Sequence, residues 1–76
     1  MIKITQKALK KYVAAGIAHD VTLYNFEEAD AFYKAHSLET IAVSRGVYGL
    51  NGALIKDENG KLYAITARNT TLAQLV

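Results

Sequence analysis

The dipeptide Asn59-Gly60 is the feature that most constrains the fold of this chain. It lies between two apolar segments, residues 53–55 and 62–65. Asn-Gly in this setting is a strong signal for a β-hairpin, because a type I′ turn needs positive φ at both central residues. A two-residue loop there places Leu54 opposite Ile65. The two faces of the hairpin are then predicted to carry Leu54, Tyr63, Ile65 and Ala67 on one side and Ala53, Ile55, Leu62 and Ala64 on the other.

A further strand is predicted before the hairpin, over residues 40–45. Its side chains alternate, with Ile41 and Val43 on one face and Ala42 and Ser44 on the other, as expected for a strand with a period of two. Together with the hairpin, this segment predicts a three-stranded antiparallel meander.

The first part of the chain predicts a helix over residues 6–15. Thr5 is a suitable N-cap, and its side chain can accept a hydrogen bond from the first turn. Gly16 is placed as the residue after the C-cap, where a left-handed conformation ends a helix, and Ile17 can fold back over the last turn.

A second helix is predicted to begin after Asn25 and to end near His36 or Ser37. Glu28 is at the third helical position, which completes a capping-box arrangement. Asp30 and Lys34 are four residues apart in the favourable order for an ion pair. The apolar stripe is predicted to consist of Phe26, Ala29, Phe32, Tyr33 and His36, and residues 18–24 are read as a connector or a short strand.

These elements predict one small α+β domain over residues 1–76: two N-terminal helices, then a three-stranded antiparallel meander, then a short C-terminal turn or helix over residues 69–76. With both helices on one side of the sheet, an apolar patch would stay open on the other. Large open patches of this kind are rare in monomers. We therefore expect a homodimer that joins through the sheet face or an edge strand, with packing of the tail on the sheet as the alternative.

Composition narrows the class of protein. The 76 residues include no cysteine, so neither a disulfide nor a thiolate metal site is expected. The start of the chain has no apolar signal-peptide core, and no apolar run approaches the roughly 20 residues that span a bilayer. We expect a cytoplasmic protein without a membrane partner.

The stretch from Arg45 to Gly52 holds three glycines spaced three apart. It does not match a phosphate-binding loop, because strands flank it and no Lys-Ser or Lys-Thr pair follows. The first interpretation is a wide turn or bulge in which at least one glycine has positive φ. The alternative is a binding loop, and the residues expected to gather at that end of the sheet are Arg45, Tyr48, Asn51 and Arg68.

Four lysines precede any acidic residue: Lys3, Lys7, Lys10 and Lys11. The last three share one face of the first helix and could neutralise phosphates or attract an acidic partner. The alternative is an ordinary solvated face. No aromatic residue lies between these lysines, so a platform for stacking bases is not indicated.

The sequence predicts no catalytic residue, no cofactor and no metal site. Two histidines, His19 and His36, without cysteine make a poor zinc ligand set, since zinc usually takes three or four protein ligands. Ser37 and Ser44 lack the context of a nucleophile elbow. Glu27 and Glu28 point about 100° apart on a helix and do not form a dyad.

Three short patterns carry a resemblance to a known group: S-x-G-V-Y-G-x-N-G from Ser44, G-x-x-Y-A-I from Gly60 and R-x-T-T-L from Arg68. The chain resembles short proteins of phages and mobile elements of Gram-positive bacteria, and the likeness extends over most of its length from Ile4. The resemblance implies a genomic setting. It implies no activity and assigns no catalytic residue.

The sequence therefore predicts a small non-enzymatic interaction module that binds an unknown protein partner and forms a homodimer. The alternative is a nucleic-acid-associated accessory protein that uses the basic first helix. The two differ in salt dependence, because binding to phosphates weakens steeply with salt and binding through apolar surface does not.

Overall fold

The computed structural model describes residues 2–47 and 49–67 of the chain. The elements in this part are β1 (Ile2–Lys3), α1 (Gln6–Ala14), β2 (Ala18–Leu23), α2 (Phe26–Ala35), β3 (Glu39–Gly46), β4 (Gly49–Lys56) and β5 (Leu62–Ala67). Among the described residues, no helix has the length and apolar character needed to cross a membrane. The C-terminal turn or helix predicted over residues 69–76 lies outside the described residues.

The five strands form one mixed sheet in the order β1-β3-β4-β5-β2. The predicted antiparallel pairs β3–β4 and β4–β5 are at its centre, while β1 pairs with β3 and β2 with β5 in parallel. The predicted fold class, two helices followed by a three-stranded antiparallel meander, is therefore wrong. The sequence analysis missed β1, which has two residues, and left residues 18–24 as a connector or a short strand, of which the strand is found as β2.

The two helices cover opposite faces of this sheet. Leu9 of α1 belongs to the same buried cluster as Leu54, whereas Ala29 of α2 belongs to a second cluster with Ile55. Successive residues of a strand point to opposite faces, so the two clusters lie on the two sides of β4. The expectation that both helices pack on one side and leave the other side open is wrong.

The capping residues predicted for α1 are observed at both of its ends. The Thr5 hydroxyl accepts a hydrogen bond from the Ala8 N–H at 3.1 Å. Gly16 has a φ of 74°, and its N–H donates to the carbonyl of Val13, while the Ile17 N–H donates to that of Tyr12. This pair of hydrogen bonds is the Schellman motif that Gly16 predicted. The helix ends one residue earlier than predicted.

The capping of α2 is also as predicted, with one difference in detail. Asn25 accepts from the Glu28 N–H at 2.9 Å, and the Glu28 carboxylate accepts from the N–H of Tyr24 at 2.6 Å, one residue before the cap. The exposed Asp30–Lys34 ion pair measures 2.9 Å. Of the predicted apolar stripe, Ala29 is buried and Phe32 packs against the core, but Phe26 and Tyr33 are exposed.

The register predicted for the hairpin is wrong by one residue. Leu54 pairs with Ala64 instead of Ile65, so Leu54 and Ile65 point to opposite faces. The loop contains three residues instead of two: the Asp57 N–H donates to the carbonyl of Lys61, and the Gly60 N–H donates to that of Asp57. Gly60 has a φ of 80°, as predicted, but Asn59 does not have positive φ. The geometry is that of a turn followed by a left-handed glycine, in place of type I′.

Two irregularities interrupt the pairing of β3 with β4. The partners change between Thr40 and Ala42, which leaves Ile41 as an extra residue, and between Ser44 and Arg45, which leaves Asn51 as an extra residue. Ile41 consequently packs with the cluster of Ala42, while Val43 lies in the other cluster. The predicted sharing of one face by Ile41 and Val43 is wrong, because a bulge shifts the alternation.

The substitution Gly60→Val is expected to destabilise the fold by about 1–3 kcal/mol, because a β-branched residue resists positive φ. A Cβ at this position would meet no atom within 4 Å, so the effect isolates backbone conformation from packing. The matched control is Gly60→Asn, since asparagine tolerates the left-handed region. Urea unfolding of the three proteins measures the difference, and equal stability of wild type and Gly60→Val would contradict the turn geometry.

Candidate functional site

Two of the four residues expected to gather at one end of the sheet, as an alternative binding site, are described, and they lie at one bulge. Arg45 is exposed and pairs with Leu50, and Asn51 is the extra residue of β4 beside that pair. Tyr48 and Arg68 lie outside the described residues. The prediction that these four residues bind a partner stays a prediction.

The glycines of this stretch shape the backbone. Gly49 has a φ of 112°, which confirms the prediction of a positive φ among the three. A Cβ at Gly52 would lie 2.7 Å from Gln6 Nε2 and 2.9 Å from Leu9 Cδ1, so a side chain there would displace these two side chains of α1. Asn51 accepts from Gln6 Nε2 through both its backbone and its side-chain oxygen, at 2.9 and 3.0 Å. The stretch therefore docks α1 on the sheet.

The four lysines of the predicted basic face are all exposed: Lys3, Lys7, Lys10 and Lys11. None of them has an acidic partner within 4.0 Å in the described part of the chain, where Lys34 and Lys56 are the lysines that form ion pairs. Their charge is therefore open to an external anion.

A cluster that the sequence analysis did not assemble lies where α2 ends against the β4–β5 turn. It consists of His36, Asp57, Glu58 and Tyr63. His36 is the C-cap of α2, near the predicted helix end, and its Nδ1 lies 3.9 Å from Asp57 Oδ2 and 3.9 Å from Glu58 Oε1. The turn bonds of Asp57 could be expected from the sequence, because aspartate in a turn accepts hydrogen bonds from backbone N–H groups a few residues on. Its approach to His36 could not, because the two residues are distant in the chain.

Asp57 is the most constrained member of this cluster. Its Oδ1 accepts from the N–H groups of Asn59 and Lys61, each at 2.9 Å, and its Oδ2 accepts from the Tyr63 hydroxyl at 3.0 Å. Burial raises the pKa of the Asp57 carboxyl, but these hydrogen bonds and nearby His36 lower it by more, so the pKa lies below its usual value. Burial and the bond to Asp57 raise the pKa of Tyr63.

Within the described residues, β2 is the last strand in the order and forms one edge of the sheet. All six of its residues pair with β5 in one continuous parallel register. His19, Asp20 and Thr22 are exposed on this strand, and no strand of the described residues pairs with its outer side. A row of backbone donors and acceptors therefore faces outward, and such a row is a template for another strand.

Comparisons with protein-family models, with curated proteins and with solved structures found no match for this chain. The resemblance to short phage and mobile-element proteins stays a prediction.

The Asp57 carboxylate is expected to give the protein a specific sensitivity to acid. The pKa of an aspartate in an unfolded chain is about 3.9, and the pKa of Asp57 in the folded protein is lower. Its stabilisation is present above about pH 4 and is lost as the pH falls through the folded pKa. Thermal midpoints measured from about pH 6 to about pH 2 should therefore fall less steeply in Asp57→Asn than in wild type.

The control for this measurement is Glu27→Gln, at an exposed carboxylate in the first turn of α2. It should keep nearly the full acid dependence of the wild type. An Asp57→Asn profile as steep as that of Glu27→Gln would show that Asp57 does not stabilise the folded state through its charge.

Proposed function

We propose that this chain is a non-enzymatic protein-interaction module that works as a homodimer, in which the β2 strands of two copies join into one continuous sheet. The observation that carries the proposal is the open β2 edge. Proteins usually block an edge strand by keeping it very short, by placing proline, lysine or a bulge on it, or by covering it.

The two edges of this sheet differ in how far they are blocked against pairing with another strand. The edge at β1 has two residues, which limits pairing with another chain. The edge at β2 has six residues in unbroken register with β5, and its sequence, AHDVTL, contains one charged residue, Asp20, but neither lysine nor proline. The second edge is therefore the one suited to association.

Symmetry restricts how two β2 strands can pair. A two-fold axis perpendicular to the sheet makes the strands antiparallel and places one residue opposite its own copy. If the two-fold axis passes between the two copies of Asp20, two like charges lie directly opposite each other, which is destabilising. If the axis passes between the two copies of Val21, two β-branched side chains pair, and Asp20 lies opposite Thr22 of the second copy. The pairing centred on Val21 is therefore favoured.

The same register covers apolar side chains at the ends of β2. Tyr24 is 73% exposed and Ile17 is 52% exposed. With Val21 at the centre, Tyr24 comes opposite Ala18 of the second copy and beside its Ile17. Association thus buries a tyrosine ring in addition to forming the backbone hydrogen bonds of a new strand pair.

A single cysteine tests this register, because the chain contains none. Oxidation of Val21→Cys should give a covalent dimer, since paired residues at the centre of an antiparallel ladder have Cα atoms about 4.5–5.5 Å apart, within the range of a disulfide. The matched control is His19→Cys on the same strand, which would face Leu23 of the second copy. Non-reducing electrophoresis measures the yield.

Sedimentation of the wild type over a hundredfold range of concentration provides the independent measurement. A monomer at every concentration, or equal cross-linking of His19→Cys and Val21→Cys, would contradict the proposed dimer.

A second candidate function is nucleic-acid association through the basic face of α1. The observation that favours it is that Lys7, Lys10 and Lys11 form no ion pair in the described part of the chain. Affinity for labelled DNA should then fall linearly with salt on logarithmic scales, and replacing the three lysines by glutamine should reduce the slope by about 2–3. Lys34→Gln on α2 is the control. Absence of binding in low salt would exclude this candidate.

A further inference from the structure

Three side chains with metal-binding atoms meet where the end of α2 faces the β4–β5 turn. One nitrogen of His36 and one carboxylate oxygen each of Asp57 and Glu58 lie within 4.8 Å of one another. The histidine comes from a helix end and the carboxylates from a turn some twenty residues later in the chain, so the fold alone brings this set together.

The His36 Nδ1 atom is directed toward the two carboxylates without making a hydrogen bond. It is buried and has no hydrogen-bond partner in the described part of the chain. Its distances to Asp57 Oδ2 and Glu58 Oε1, both 3.9 Å, are too long for hydrogen bonds. Buried polar atoms normally have a partner, so an atom without one calls for an explanation, of which an ion is one.

Both carboxylates are already held in the orientation that an ion would need. Asp57 Oδ1 is fixed by two backbone N–H groups, and Glu58 Oε2 accepts from the Ser37 N–H at 3.0 Å. The oxygens nearest His36 are Glu58 Oε1 and Asp57 Oδ2, and the second of these also accepts from the Tyr63 hydroxyl. Outer contacts that orient ligands in this way are typical of metal sites.

The imidazole is fixed in turn by two aromatic rings. Its centroid lies 4.8 Å from that of Phe32 and 5.6 Å from that of Tyr63, and the Tyr63 hydroxyl also donates to Asp57. The ring therefore has little freedom to turn Nδ1 away from the carboxylates.

We propose that His36, Asp57 and Glu58 bind one divalent metal ion of the zinc class. A nitrogen and two carboxylate oxygens match the donors that zinc accepts, whereas magnesium and calcium prefer oxygen alone. Bonds of about 2.1 Å in a tetrahedral site place ligands about 3.4 Å apart. The three atoms lie within 4.8 Å of one another, so they need to approach by up to about 1.4 Å. The fourth position is open to water.

Isothermal titration of the untagged, chelator-treated chain with zinc chloride tests the proposal. We expect one ion per chain and a higher thermal midpoint in the presence of zinc. Affinity should fall at least tenfold in His36→Gln and in Glu58→Gln. The second variant is informative even if the first folds poorly, because the Glu58 side chain is 44% exposed.

The matched control is His19→Gln, which removes the other histidine of the chain and should leave affinity unchanged. A cobalt titration adds a spectroscopic measurement, since a bound ion in a tetrahedral site gives visible absorption that His36→Gln should abolish. The proposal is overturned if wild type binds no zinc, if His36→Gln binds as tightly as wild type, or if His19→Gln loses as much affinity as His36→Gln.

Discussion

The hydrogen bonds of the Asp57 carboxylate decide the form of the β4–β5 turn, and the rest of the sheet depends on that turn. By accepting from the Asn59 and Lys61 N–H groups, Asp57 stabilises a loop of three residues. Loop length sets the register of a hairpin, and a shift of one residue would exchange the two faces of a strand. The three-residue loop therefore agrees with the observed register, in which Ile65 shares a cluster with Ile55 and Ala64 shares one with Leu54.

The two helices are held on the sheet by different contacts. α1 packs closely because Gly52 leaves space for Gln6 and Leu9, and the side chain of Gln6 is tied to the bulge at Asn51. α2 is held at its C-terminal end by aromatic contacts of His36 and Phe32 with Tyr63. In residues 2–47 and 49–67, one helix packs on each face of the sheet, and β1 and β2 form its two edges.

Sequence reasoning succeeded where a structural feature depends on neighbouring residues. Thr5, Asn25 and Gly16 were assigned correctly because capping is local. It failed where partners are distant in the chain: nothing near β2 indicates that it pairs with β5. The same distinction between local and distant partners applies to the candidate sites. The bulge near Arg45 was anticipated from its glycines, whereas the cluster around His36 required knowledge of which turn lies beneath the helix end.

The connectivity of the sheet also restricts the order in which the protein can assemble. β1 and β2 lie in the first third of the chain, yet each pairs with a strand from the second half. Before those strands emerge from the ribosome, β1 and β2 lack their partners, and the helices next to them, of 9 and 10 residues, are too short to be stable alone. The antiparallel strands β3, β4 and β5 pair over short loops, so they are suited to form the nucleus, with β1 and β2 added to its two sides at a greater cost in chain entropy.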